Sequence, residues 1–316
     1  MNNSNEPHIS HKAQLPYPYD QDISHVLRHL SRITATGRKK LANSLSTAGY
    51  LAAGMRLIQQ HLGPDALRGA AAGNTHALER PLLGFLSQRA VAAAVAENPP
   101  PFTSRGGVPR LRTTWRSHSD FVADLINFAM WPANYHPGYL KQRAATIRRL
   151  VAGEDFVGAV HETAYQHTAE SARMPSVRLS LVLMALADGD DTVQRALAET
   201  YRGYLSSWKQ VYAEVLQARG LRLRAGLDLD DLANALSAAT DGMILRSIGD
   251  PQARVVDQER ESSLMGTVAL AVIHGFLEPA EASDGLTLEQ AVGARLGRPL
   301  PSGTPGNDRL RGETPR

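Results

Sequence analysis

Between Asp191 and Ile248 the chain has room for little except two long helices, and this limits the fold more than any other stretch. The first, DDTVQRALAETYRGYLSSWKQVYAEVLQARG, keeps an amphipathic period until Gly220 stops it. After LRLRAGLDLDDL the second begins, opened by acidic residues that accept from free helix amides and carrying an internal Asp241-Gly242. Helical signals also cover 139–151, 153–171, 175–187, 256–277 and a short 286–295, and no convincing alternating strand pattern is visible. The fold class expected is all-α.

The front half is more broken. Ile23, Val26, Leu27, Leu30 and Ile33 fall at helical spacing, and a basic cluster, Arg32, Arg38, Lys39 and Lys40, precedes a helix over 45–62 that ends at Gly63-Pro64. Gly69 to His76 reads as a small-residue loop, and Pro81 suits the first turn of a helix running to about Glu97. A Pro-rich turn over 98–109 leads to a short basic helix, and the next helix starts near Ser117 with Phe121, Val122, Leu125, Ile126 and Phe128 on its buried face. The expected domains are a flexible arm over 1–20, a helical domain over 21–135, a second over 136–279 and a mostly disordered tail over 280–316.

Charge is distributed unevenly along this order. Up to Leu150 there are 18 Lys or Arg against 8 Asp or Glu, and from Val151 onward 16 against 23, so a net charge of +3 hides a basic front and an acidic back. Only five of the basic residues are Lys, a usage that a GC-rich genome produces by itself, so the segregation is the better evidence for a polyanionic partner. With no cysteine, a disulfide scaffold, a catalytic thiol and a thiolate metal site are excluded. The start, MNNSNEPHISHK, lacks the pattern of a secretory signal, and the most apolar run, Leu264 to Leu277, is too short to cross a bilayer. A soluble cytoplasmic protein with no membrane partner is expected.

Two acidic groups, Asp188, Asp190 and Asp191, then Asp228, Asp230 and Asp231, invite comparison with metal-binding aspartates, but they stand where helices begin, and helix capping explains them. His161, Glu162, Tyr165, His167 and Glu170 share one helix; the two imidazoles lie six positions apart and diverge around it. No H-E-x-x-H, phosphate loop or G-x-S-x-G is present, so neither an enzyme nor a cofactor is expected.

Ala218-Arg219-Gly220, the cap Asp228 to Ala233 and the helix Leu236 to Ile244 resemble, in order, the C-terminal domain of TetR-family (tetracycline-repressor-like) transcriptional regulators. In the front half, YLAAGMRLIQQHLGPDAL from Tyr50 resembles the family's first helix, and LRTTWRSHSDF from Leu111 resembles the end of its recognition helix and the start of the next. The likeness spans roughly 45–277, but the usual three- or four-residue turn is replaced by about a dozen residues with four prolines. It implies a homodimeric repressor that binds a double-stranded DNA operator and answers a small-molecule effector; a degenerate sensor that binds no DNA itself is the alternative.

For DNA the resemblance and residue chemistry single out Arg38, Lys39, Lys40, Arg110, Arg112, Thr113, Thr114, Trp115, Ser117 and His118. Arginines offer bidentate donors to guanine, hydroxyls reach phosphate or base edges, and Ser117 with the amides behind it suits a phosphate. For the effector the expected residues are His161, Tyr165, Met184, Trp208, Tyr212 and Asp241. Dimer contacts are expected at Ala235, Ala239, Gly242, Leu264, Ala271 and Phe276, on the last two long helices.

Overall fold

The computed structural model describes residues 15–63, 84–103, 106–134, 137–186 and 189–296. The expectations for 1–14, for the 69–76 loop, for Pro81, for Asp188 and for the tail beyond 296 lie outside them. Among the described residues there are twelve α-helices: α1 (Ala35–Ala42), α2 (Leu45–Leu62), α3 (Gln88–Ala96), α4 (Val108–Thr114), α5 (His118–Ala129), α6 (Pro137–Ala152), α7 (Phe156–Arg173), α8 (Pro175–Leu186), α9 (Asp191–Ala218), α10 (Leu229–Gly249), α11 (Leu264–Phe276) and α12 (Leu288–Leu296). Two small antiparallel pairs accompany them: β1 (Leu221–Leu223) with β4 (Leu277–Pro279), and β2 (Val256–Asp257) with β3 (Ser262–Ser263). The protein is all-α, as the periodicity predicts.

The long back helices form where their caps stand. Asp190 accepts from the Thr192 and Val193 amides at the start of α9, and Asp228 accepts from Asp230 and Asp231 while the Asp231 carboxylate accepts from the Asp228 amide. Asp190, Asp228 and Asp231 therefore serve helix starts. The link between α9 and α10 is fixed by β1 on β4, where the carboxylate of Glu278 is buried between Arg222 at 2.8 Å and Arg224 at 3.3 Å.

Three expectations are corrected. Residues 23–33 do not form a helix: Ile23, Val26, Leu27 and Leu30 are buried, but beyond one turn the backbone is satisfied from far along the chain. Asn43 Oδ1 accepts from the Ile23 amide, the Asp124 carboxylate from those of Arg28 and His29, and the Thr114 carbonyl from that of Ser31. Arg38, Lys39 and Lys40 stand ahead of the 45–62 helix as expected, inside a short helix of their own, α1. Residues 256–263 form a hairpin, because Asp257 accepts from the Glu259 and Arg260 amides and turns the chain back before Leu264. The expected 81–97 helix begins only at Gln88, where Ser87 caps it.

Two hydrophobic cores result. The front one gathers Tyr50 and Leu51 of α2, Leu111 and Trp115 around α4, and Phe121, Leu125 and Phe128 of α5. It also takes Leu179 and Leu183 from α8 and Val193 and Leu197 from α9, so a division near residue 135 does not separate the cores. The back one is built on Val160 and Ala164 of α7, Val215 of α9, Leu232 and Leu236 of α10, and Met265 and Ala269 of α11.

Candidate functional site

The long turn between α3 and α4 is tied down rather than loose. The Tyr50 hydroxyl donates to the Gly107 carbonyl at 2.7 Å and accepts from the Gly107 amide at 3.0 Å, while Asn98 donates to the Gly49 carbonyl at 2.8 Å. Gly107 has φ +153°, and a side chain at Gly106 would come within 2.7 Å of Val95, so both glycines are needed for the turn to lie against α3. Phe102 meets the Tyr19 ring edge-on at 4.7 Å. The described residues of this turn thus form packed structure beneath α4.

The end of α4 is held from inside. Trp115 is fully buried, and its indole N–H donates to Asp124 at 2.9 Å. The same carboxylate accepts from the Arg28 and His29 amides, and burial, opposed by these donors, pushes it up to about 6. Asp124 therefore joins the N-terminal segment, the end of α4 and α5 at one point.

This geometry divides the expected DNA residues. Arg110, Arg112 and Thr113 face solvent on α4, with Arg110 Nε on Ser46 at 2.9 Å and Arg112 Nε on Gln88 at 3.2 Å. Arg38 and Lys40 are exposed on α1, and Lys39 pairs with Asp22 at 3.0 Å. Trp115 is corrected to a core residue, and Thr114 is buried with its hydroxyl on the Arg110 carbonyl. Ser117 caps α5 by accepting from the Asp120 amide at 2.9 Å, and Asp120 answers the Ser117 amide, placing a carboxylate where a phosphate was expected. His118 is half-buried with no hydrogen-bond partner for Nδ1 among the described residues, and burial lowers its pKa against the pull of Asp190, so it does not replace a lysine. Arg89 on α3 and Arg116 after α4 are also exposed; each is one of many arginines in the front half, with nothing local to single it out.

A cavity of about 100 Å³ opens within the back core, among α7, α9, α10 and α11. Of the expected effector residues, Trp208 and Tyr212 line it. Four are corrected. His161 turns toward α11, where its imidazole fills the place a Gly266 side chain would take. Tyr165 is not among the lining residues, Met184 is exposed on α8, and Asp241 receives the Tyr201 hydroxyl outside the cavity, its carboxyl pushed up to about 6 by burial. The lining that was missed is mainly apolar, from Phe156, Val160, Leu205, Leu232, Met265 and Ile273, with His167 and Tyr204 as a polar pair at 2.7 Å. Burial, then Arg143, pushes His167 down to about 4, so this imidazole is neutral at pH 7. His167 has its tyrosine partner, Glu162 pairs with Arg149, and among the described residues no group of three potential ligands could hold a metal.

The expected dimer residues separate in a similar way. Gly242, Leu264 and Ala271 are exposed, while Ala239 and Phe276 pack partly on the back core and Ala235 is half-buried. Leu245, on α10, is also more than half exposed.

One helix connects the two regions. The second half of α9 contributes Tyr204, Trp208, Tyr212 and Val215 to the cavity, and its first half packs on α5, with Asp190 receiving the Ser119 hydroxyl and Thr200 reaching Asn127 at 3.3 Å. Arg28 also reaches Glu199 of α9.

Residues 166–273 match the family described as BetI-type transcriptional repressor, C-terminal. That segment runs from α7 through α11 and contains most of the cavity wall. No curated protein and no solved structure matches the chain. Among the described residues no helix is long and apolar enough to cross a membrane. The match takes in most of the helices that enclose the cavity, so this part of the chain is similar to the C-terminal domain of BetI-type repressors, in the region where the motifs around Arg219, Asp228 and Asp241 carry the TetR-like resemblance.

Proposed function

We propose that the protein is a ligand-responsive repressor, working as a homodimer, whose α4 reads operator DNA and whose back cavity holds the effector. The observation that carries this reading is the course of α9, which lines the cavity at Trp208 and Tyr212 and packs on α5 beside the exposed Arg110, Arg112 and Thr113. A molecule that fits the cavity better in one setting of α9 than in another shifts α5, and with it the angle of α4. The exposed apolar residues Gly242, Leu245, Leu264 and Ala271 on α10 and α11 suit a second copy of the chain, which would set the distance between the two reading helices.

Binding of the purified protein to DNA from its own upstream region, followed by fluorescence anisotropy at several salt concentrations, tests the reading. A two-fold symmetric site is expected, with Arg112→Ala weakening it by roughly tenfold or more and Arg110→Ala by a similar factor. A folded dimer without preference for any such DNA at low salt ends this proposal. The sensor that binds no DNA itself then takes its place, and the inward placement of Thr114 and Trp115 on a seven-residue α4 favours that second reading.

A further inference from the structure

Two polar side chains of the cavity wall are buried without partners. Trp208 and Ser237 are more than nine-tenths buried, both line the cavity, and neither the indole Nε1 nor the hydroxyl Oγ has a hydrogen-bond partner among the described residues. A buried donor left unpaired costs about 1–3 kcal/mol, and an acceptor delivered to it recovers much of that. Trp208 Nε1 can only donate, while the serine hydroxyl can donate or accept. The two groups together ask for an acceptor oxygen.

Charge at this place is disfavoured from both sides. No carboxylate lines the cavity, so a cation would lose its hydration without a counter-ion. The rings do not make up for that. Arg143 already sits 4.9 Å above the centre of the Trp208 ring, and the ring also stacks on Tyr212 at 5.7 Å. An anion is favoured no better, because the space where Arg143, Gln166 and His167 meet amounts to about 10 Å³ and admits no carboxylate. The rest of the wall is aliphatic or aromatic, and a cavity near this size suits about one aromatic ring.

Resting on the reading of this cavity as the effector site, we propose that its ligand is an uncharged, mainly apolar molecule about one ring in bulk whose carbonyl-type oxygen is recognised by Trp208 and Ser237. The class is defined by chemistry: neutral, compact, with one strong acceptor.

Calorimetric titration of the full chain with four probes of similar shape tests it: acetophenone, ethylbenzene, benzoate and phenyltrimethylammonium. Acetophenone should bind best, ethylbenzene roughly 5–10-fold more weakly, and the two ions more weakly still. Trp208→Phe should abolish most of the preference for acetophenone over ethylbenzene while leaving ethylbenzene almost unchanged, and Ser237→Ala should reduce that preference a few-fold. The proposal is overturned if either ion binds better than acetophenone, if both variants keep the full preference, or if the folded protein binds none of the four. Release of bound DNA is scored separately. Acetophenone that binds with the expected preference yet leaves DNA bound supports the ligand class and counts against the repressor reading; release by phenyltrimethylammonium alone does the opposite.

Discussion

The cluster at Asp124 in front and the cavity wall at Trp208 in the back treat their buried polar groups in opposite ways. In front, the Asp124 carboxylate is deeply buried and receives three N–H donors from two other parts of the chain, and Tyr50 and Asn98 hold the turn before α4 by further hydrogen bonds. In the back, Trp208 and Ser237 line a cavity, and the indole Nε1 and the hydroxyl Oγ are paired with nothing among the described residues. A fully satisfied polar cluster fixes one arrangement of the backbone, which a surface that must present arginines at set positions requires. Unsatisfied groups in an apolar wall reserve interaction energy for something that arrives later. On the proposed function, rigidity lies where macromolecular register matters, and unspent hydrogen bonding lies where a small molecule would fit.

The sharpest way to break this contrast is to remove Asp124. Asp124→Ala strands the Trp115 indole and two backbone amides, and should destabilise the protein by about 3–5 kcal/mol in denaturant unfolding. Loss of less than about 1 kcal/mol would mean that the cluster is not a staple. Tyr50→Phe takes away only the two hydrogen bonds to Gly107; a cost of about 1–2 kcal/mol is expected, with DNA affinity falling alongside because α4 is set by that turn. If affinity is unchanged, the turn does not position the reader.

A smaller effect concerns the tie between α9 and α10. Burial raises the Asp241 carboxyl to about 6 from an ordinary carboxylate value near 4, so the folded state holds its proton more tightly than the unfolded chain does. The stability this contributes is complete below about pH 4 and is lost as pH rises through about 6. Thermal unfolding of the wild type should therefore show a downward component over that window, which Asp241→Asn removes. An identical slope in the variant would assign the effect to another group.

The all-helical fold was legible because its signals are local. The caps at Asp190 and Asp228, the stop at Gly220 and the amphipathic period of α9 each depend on residues within a few positions. One failure has the opposite cause. Residues 23–33 carry a helical apolar pattern, yet their amides are taken by Asn43, Thr114 and Asp124, partners up to 96 residues away. Periodicity reports which side chains are buried, and it did so correctly for Ile23 through Leu30; it does not report where the backbone hydrogen bonds go.

The same limit governs the sites. Sequence by itself determined the helical class, the order of long capped helices, the segregation of basic and acidic halves, and the aromatic series on α9 that supplies Trp208 and Tyr212 to the cavity. Only the tertiary structure decided that Thr114 and Trp115 turn inward while Arg110 and Arg112 face out, and that Asp241 and His161 point away from the cavity that Ser237 enters. The physical reason is that a helix fixes which residues share a face, whereas the neighbour that each face meets depends on how α5, α9, α10 and α11 pack.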